Sequence, residues 1–255
     1  MVKSVLITGS NRGIGLEFVR QFLCDNSPPD HVIATCRDTT NCAELIALHE
    51  QHPNRLHIVK LDVTEFKSFD TYVNVVEKIV GVTNGLNLLI NNAGVLPEQE
   101  ELENITPECM IEAYQTNCMA PILLTKYFRP LLKIAANKND KGEDMSIDKA
   151  CVLQISTDWA SFAERESTSS DGSMYPYRCS KSALNMAMKN LSIDLKSDQI
   201  LTLAIHPGWV RTDMGGPDGL MSAEESVQTM MKTIRNMTDI NHGTLVQVDG
   251  APLFW

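Results

Sequence analysis

The chain has 255 residues, 43% of them hydrophobic and 21% charged, which is enough apolar material for a sizeable core and too much for disorder. A net charge of −10 and a pI near 5.1 argue against nucleic acid or an anionic membrane as the main partner. Seven cysteines without a C-x-x-C pair favour reduced thiols over a disulfide framework or a zinc site, no apolar run reaches the ~20 residues of a membrane span, and Val5-Leu6-Ile7 is too short for a signal sequence, so a soluble cytoplasmic protein is expected.

The first expected element is a strand over Ser4 to Thr8. Glycine-rich sequence follows at once, Thr8-Gly9-Ser10-Asn11-Arg12-Gly13-Ile14-Gly15. A helical pattern then begins, with Ile14, Phe18, Val19, Phe22 and Leu23 on one face. Strand, glycine turn and helix together offer backbone N–H groups and a helix N-terminus to a phosphate. The glycines are spaced G-x-x-x-G-x-G rather than G-x-G-x-x-G, so a plain tight turn is the competing reading. His31 to Cys36 reads as a second strand, ending at Arg37. An acidic residue here would bond a ribose 2′-hydroxyl, whereas an Arg fits a 2′-phosphate. Arg37, with Arg12 inside the glycine loop, therefore favours NADP(H) over NAD, and Asp38 opposes it. The bland alternative is two solvated surface charges.

Leu56 to Leu61 reads as strand three, closed by Asp62-Val63. The Asp62 carboxylate suits either an adenine amino group or the N-cap of a helix at Thr64-Glu65. Phe66 to Val80 follows a helical period, and Leu86 to Ile90 is a fourth strand ending in Asn91-Asn92-Ala93-Gly94. Met110 to Ile134 holds one long helix or two joined, with Asn117 and Pro121 inside it. Asn is mildly unfavourable in a helix interior, so Asn117 marks a kink or has a task. Asn137 to Lys149 is polar and reads as a surface loop. Cys151 to Ile155 is strand five and leads into Ser156-Thr157-Asp158; residues 160–173 read as a loop over the strand ends.

Tyr177 and Lys181 lie four apart at the start of a helical run, one turn from each other on one face. In isolation that spacing is commonly a packing pair. In a site, the ammonium lowers the phenol's pKa from its ordinary value near ~10 and makes Tyr177 a usable general acid or base. Ile200 to His206 is strand six, running into Pro207-Gly208-Trp209-Val210-Arg211-Thr212-Asp213-Met214, and Met214 to Gly219 is a loop fit to act as a lid. Ser222 and Glu225 form a capping box for a last helix, and Leu245 to Val248 is strand seven. His206 is read as structural, and Cys179 as facing away from Tyr177. Strands alternating with helices predict an α/β fold: a three-layer, doubly wound sheet of seven parallel strands in a single domain, 1–255, with ligands at the strand C-termini.

In this order and at these separations, Thr8-Gly9-x-x-x-Gly13-x-Gly15, Asn91-Asn92-Ala93-Gly94, Asn117, a hydroxyl at 156–157, Tyr177-x-x-x-Lys181 and Pro207-Gly208 make the chain resemble the short-chain dehydrogenase/reductase family over nearly its whole length. Within it the chain is similar to the sniffer-type carbonyl reductases, through Cys36-Arg37, Met174-Tyr175-x-Tyr177-Arg178, His206-Pro207-Gly208-Trp209-Val210 and Asp249-Gly250-x-Pro252-Leu253. The resemblance implies a Rossmann fold, NADP(H), a small carbonyl substrate and a homodimer. It implies that Tyr177 donates a proton to the carbonyl oxygen as hydride arrives, and that Lys181 lowers the Tyr177 pKa and holds the nicotinamide ribose. Asn117 would anchor a water that relays protons through Lys181. The backbone from Gly9 through Ser10, Asn11, Arg12, Gly13 and Ile14 to Gly15 would cradle the pyrophosphate, with Asp62-Val63 at the adenine and Asn92-Ala93-Gly94 along the cofactor. Pro207, Gly208, Val210 and Thr212 would meet the nicotinamide end.

The family's second serine after strand five orients the carbonyl. Here the pair is Ser156-Thr157, so register gives that task to Thr157, with Ser156 the alternative. The gap from 157 to 177 is longer than many members show and adds loop over the substrate site. The leading reading is an NADPH-dependent reductase of aldehydes, ketones or quinones. Beside it stand a catalytically idle NADP(H)-binding regulator on the same fold and a reductase for steroid-like or acyl-carrier substrates.

Overall fold

A computed structural model describes residues 1–98, 101–138, 144–164 and 173–255. Its strands are β1 Ser4–Ile7, β2 His31–Cys36, β3 Leu56–Lys60, β4 Leu88–Asn91, β5 Cys151–Ile155, β6 Leu201–Ile205 and β7 Leu245–Val246. Its helices are α1 Gly13–Leu23, α2 Ala43–Gln51, α3 Phe69–Val80, α4 Pro107–Tyr114, α5 Ala120–Lys138, α6 Tyr175–Leu195 and α7 Ala223–Arg235. All strand pairs are parallel, in the order β3-β2-β1-β4-β5-β6-β7. The expected seven-stranded doubly wound sheet is the architecture found.

The short apolar runs form strands because the sheet is covered on both faces, so neither side of a strand has to be polar. Alternation sorts the side chains: Val5 and Ile7 join the cluster with Phe18, Leu45 and Val227, while Leu6 joins Phe69, Leu124 and Leu195. Helices α1, α2 and α7 thus cover one face, and α3, α5 and α6 the other. Phe69 is fully buried, ringed by Phe66, Tyr72 and Tyr127 at centroid distances of 5.8, 6.5 and 5.7 Å. Because β1 lies between β2 and β4, the winding direction reverses there, and a crevice opens at the C-terminal ends of β1 and β4.

Three differences from the sequence expectation have physical causes. Helix α2 was not foreseen: it buries Leu45 alone, so its amphipathic signal is faint. The polar stretch before β5 is not simply surface loop, since Met145 and Ile147 are 3% exposed and close the core below α1; residues 139–143 of it lie outside the described residues. The long helix of 107–138 is two α-helices joined by a π-helical turn, Gln115–Met119, with Asn117 at its centre. The capping box at Ser222 and Glu225 is present, its two bonds 2.8 and 3.1 Å long.

Candidate active site

The glycine loop is stitched to the end of β4. The Asn92 carboxamide donates to the Thr8 and Gly9 carbonyls at 2.8 and 3.1 Å, and the Thr8 hydroxyl accepts from the Asn92 and Ala93 N–H groups, both at 3.0 Å. The side chain of Asn92 therefore shapes the loop rather than pointing into the crevice. A Cβ on Gly15 would lie 2.2 Å from the Gly9 carbonyl oxygen, so only glycine lets α1 begin this close to the loop. Helix α1 starts without a side-chain cap and without an acidic residue in its first turn, which leaves its orphan N–H groups and positive dipole end for an anion. Ser10 is turned inward: its hydroxyl donates to the Ile7 carbonyl at 2.8 Å and its N–H to the Thr35 carbonyl at 2.8 Å. Asn11 and Arg12 are exposed at the rim, and Ile14 rests against the core.

Arg37 is exposed at the end of β2. One carboxylate oxygen of the neighbouring Asp38 is turned into its own loop, where it accepts from the Thr40 N–H at 2.9 Å and hydroxyl at 2.7 Å. Those bonds hold the Asp38 carboxyl below its ordinary pKa. Asp62 makes the same closed turn with Thr64, at 2.9 and 2.7 Å, and Val63 is buried beside it. The residues fit a phosphorylated dinucleotide: an uncapped helix start behind a glycine-rich loop, with the Arg12 and Arg37 guanidinium groups at its outer edge.

Residues from β5, α6 and the π turn meet at the other end of the crevice. The Thr157 hydroxyl lies beside the Tyr177 phenol, close enough to oppose the rise in its pKa. Ser156 faces the other way and donates to Asn185 Oδ1 at 2.6 Å. Lys181 is 5% exposed, donates to the Ile155 carbonyl at 2.7 Å, and holds its ammonium 5.9 Å from the Tyr177 ring centroid. Burial pulls the Lys181 pKa down to about 8. Burial also pushes the Tyr177 pKa up to about 12, with Asp158 adding to the rise and the Thr157 hydroxyl opposing it. This reverses the direction expected from sequence. At this distance, with its proton shared to Ile155, the ammonium does not outweigh desolvation of the phenolate.

Asn117 is wholly buried, and its carboxamide is spent on neighbours. It accepts from the Val95 N–H and donates to the Val95 carbonyl, both at 2.9 Å, and donates to Ser180 Oγ at 3.0 Å. Ser180 in turn donates to the Tyr177 carbonyl at 2.8 Å. Asn117 thus fastens the π turn to the loop after β4 and to the first turn of α6. Gly94 lies between: a Cβ there would stand 3.2 Å from Asn117 Oδ1 and 3.7 Å from Lys181 Nζ.

The segment after β6 closes the crevice. Gly208 packs against Met221, Val210 is buried, and the Pro207 carbonyl accepts from Ser226 at 2.6 Å. Trp209 Nε1 donates to the Gly215 carbonyl at 2.7 Å and Arg211 to that of Gly219 at 2.8 Å, so residues 209–221 form a self-bonded flap. The flap reaches the glycine loop, with Asp213 2.5 Å from Arg12 and the Thr212 methyl 3.4 Å from where a Cβ on Gly13 would stand. Two groups at the site were missed. Trp159 stands edge-on to Tyr177, centroids 6.4 Å apart, and carries the Arg178 guanidinium at 4.6 Å; its place two residues past Thr157 was the available signal. Ser180 was the other. Cys179 is exposed, and residues 165–172 of the expected substrate loop lie outside the described residues, as do 99–100 of the loop after Gly94.

The family model described as short chain dehydrogenase matches residues 3–145. Among curated proteins, the C-signal of Myxococcus xanthus is 32% identical over 173 residues, covering 68% of this chain and 95% of that protein. An uncharacterized oxidoreductase of Schizosaccharomyces pombe is 30% identical over 265 residues, covering 97% and 96%. Among solved structures, the carbonyl reductase Sniffer of D. melanogaster superposes with a TM-score of 0.94 at 38% identity, covering all of both chains. An NADPH-bound carbonyl reductase from chicken fatty liver gives 0.92 at 39%, covering 100% of this chain and 99% of that one. With the parallel sheet, the glycine loop at its switch point and the Tyr177–Lys181 pair on α6 all in place, the chain belongs to the short-chain dehydrogenase family of oxidoreductases.

Proposed function

We propose that the chain is a single-domain, cytoplasmic, NADPH-dependent reductase that converts a small carbonyl compound, an aldehyde, ketone or quinone, to its alcohol. The observation that carries this is the Tyr177 phenol beside the Thr157 hydroxyl, with the buried Lys181 ammonium 5.9 Å from its ring and an anion-ready helix start across the crevice. The relatives' descriptions as carbonyl reductases, one of them NADPH-bound, support it.

The first turn of α1 and the backbone of Gly9, Ser10, Asn11, Gly13, Ile14 and Gly15 would hold the pyrophosphate, Arg12 and Arg37 the 2′-phosphate, and Asp62-Val63 the adenine. Asn92, Ala93 and Gly94 would form the wall beside the cofactor. Pro207, Gly208, Val210 and Thr212 would hold the nicotinamide end, and Lys181 the adjoining ribose. When bound, NADPH supplies the hydride that reduces the carbonyl carbon. Tyr177 donates to the carbonyl oxygen and passes it the proton, and Thr157, whose hydroxyl proton rests on the Asp158 carboxylate at 3.1 Å, would turn to the same oxygen when substrate binds. With a pKa near 12 the phenol stays protonated and ready to donate at physiological pH. Lys181, charged at neutral pH, stabilises the phenolate left behind. Asn117 keeps α6 and the Gly94 backbone in place around Lys181, and Ser156 holds β5 to α6 through Asn185.

The apolar side chains of Ile111 and Tyr114 on α4 and of Met186 and Ile193 on α6 are exposed, which supports a homodimer through these helices. The test of function is NADPH oxidation with aromatic aldehydes, diones and quinones by wild type and Tyr177→Phe. The variant should lose at least about a hundredfold in turnover while still binding NADPH. Equal turnover would remove Tyr177 from the chemistry.

A further inference from the structure

Asp158 follows Thr157 directly and opens a 3-10 turn, Asp158–Ala160, at the end of β5. Its side chain is 29% exposed. One carboxylate oxygen accepts the Thr157 hydroxyl at 3.1 Å, and that hydroxyl oxygen accepts from the Trp159 N–H at 3.2 Å. A threonine hydroxyl has one proton, so Asp158 draws toward itself the donor that a carbonyl oxygen would use. The base nearest Asp158 is His206, with Nδ1 3.6 Å from the carboxylate. That nitrogen accepts the Asp158 backbone N–H at 3.3 Å, and an accepting ring nitrogen carries no proton. Burial favours the same neutral form by lowering the His206 pKa. His206 is the single ion-pair contact of Asp158 among the described residues, so at neutral pH the carboxylate charge is left facing the Thr157–Tyr177 pair.

We propose that Asp158 is a charge filter for the substrate: it rejects carbonyl compounds that carry a carboxylate next to the reacting carbon and favours those that carry a hydrogen-bond donor or a cation there. The inference rests on reading Thr157 and Tyr177 as the carbonyl site. A carboxylate adjacent to a carbonyl held by those two groups comes within about 6 Å of Asp158, where an effective dielectric of about 40 makes like-charge repulsion worth about tenfold in binding. The Trp159 ring beside Tyr177 adds a flat apolar wall, which suits aryl carbonyls.

The test compares phenylglyoxylate with its methyl ester, for wild type and Asp158→Asn, by NADPH oxidation. Wild type should prefer the ester, and the ratio of kcat/KM for ester over acid should fall about tenfold in the variant. Use of the ratio cancels any loss of folded protein. An unchanged ratio, with both compounds turned over, overturns the filter and leaves the reductase reading intact. If wild type reduces neither compound, the reductase reading is what fails in this assay. The filter is then read by calorimetric binding of mandelate and methyl mandelate to the NADP-loaded protein, where equal preference in wild type and variant overturns it.

Discussion

Replacing Lys181 by Met removes a buried ammonium and leaves an apolar side chain of similar length. In the folded chain burial lowers the Lys181 pKa from 10.5 to about 8, so the charged form costs about 3 kcal/mol relative to the unfolded state at neutral pH. Against this, the Ile155 carbonyl loses its 2.7 Å bond, and an orphaned buried acceptor costs about 1–3 kcal/mol. At about pH 7 the variant is expected to be as stable as wild type or up to about 2 kcal/mol more stable, though inactive. The pH dependence isolates the cause. From about pH 8 to 10.5 the unfolded chain holds a proton that folded Lys181 has released, so wild-type stability rises with pH over that window. The variant lacks this contribution, and its advantage should therefore shrink by about 2 kcal/mol between about pH 7 and about pH 9.5. Urea unfolding at the two pH values, with the difference taken between proteins, measures it. A flat or widening difference refutes the account of Lys181 as a desolvated charge.

The remaining predictions concern the loop and the two hydroxyls. Gly15→Ala would force a Cβ to within 2.2 Å of the Gly9 oxygen, so the loop must move; NADPH affinity, read by fluorescence titration, should fall at least about tenfold as the α1 N–H groups are displaced. Thr157→Val removes the hydroxyl beside Tyr177 and should lower kcat/KM by about ten- to a hundredfold, while Thr157→Ser largely restores it. Ser156→Ala should do the opposite. It breaks the buried bond to Asn185 and should cost about 1–2 kcal/mol in urea unfolding, with kcat/KM changed far less than in Thr157→Val.

The seven-stranded parallel sheet was legible because apolar runs bounded by polar turns mark buried parallel strands. What escaped the sequence depends on burial and on local geometry. Spacing puts Lys181 one turn from Tyr177, yet the direction of the Tyr177 pKa follows from how deeply α6 sinks both groups, which no spacing encodes. Ser156 and Thr157, between the end of β5 and the 3-10 turn, differ in their surroundings. Ser156 is bonded to Asn185 in the middle of α6, whereas Thr157 caps the 3-10 turn that follows and bonds Asp158 and Trp159. Asp38 and Asp62 each precede a Thr by two positions, the spacing of a side-chain turn, and that pattern could have shown from sequence that each carboxylate is engaged with its own loop.

The π turn at Gln115–Met119 amounts to an α-helix with one residue too many. Deleting one residue from it would replace the wide turn by ordinary α-helical geometry between Pro107 and Lys138 and remove the bulge that carries Asn117. Asn117 could then no longer reach both Val95 and Ser180. The helix and the site are thus in conflict over a single residue of chain length. Repairs that favour a regular helix would work against the geometry around Lys181, so the irregularity is a part of the protein that stability engineering should leave untouched.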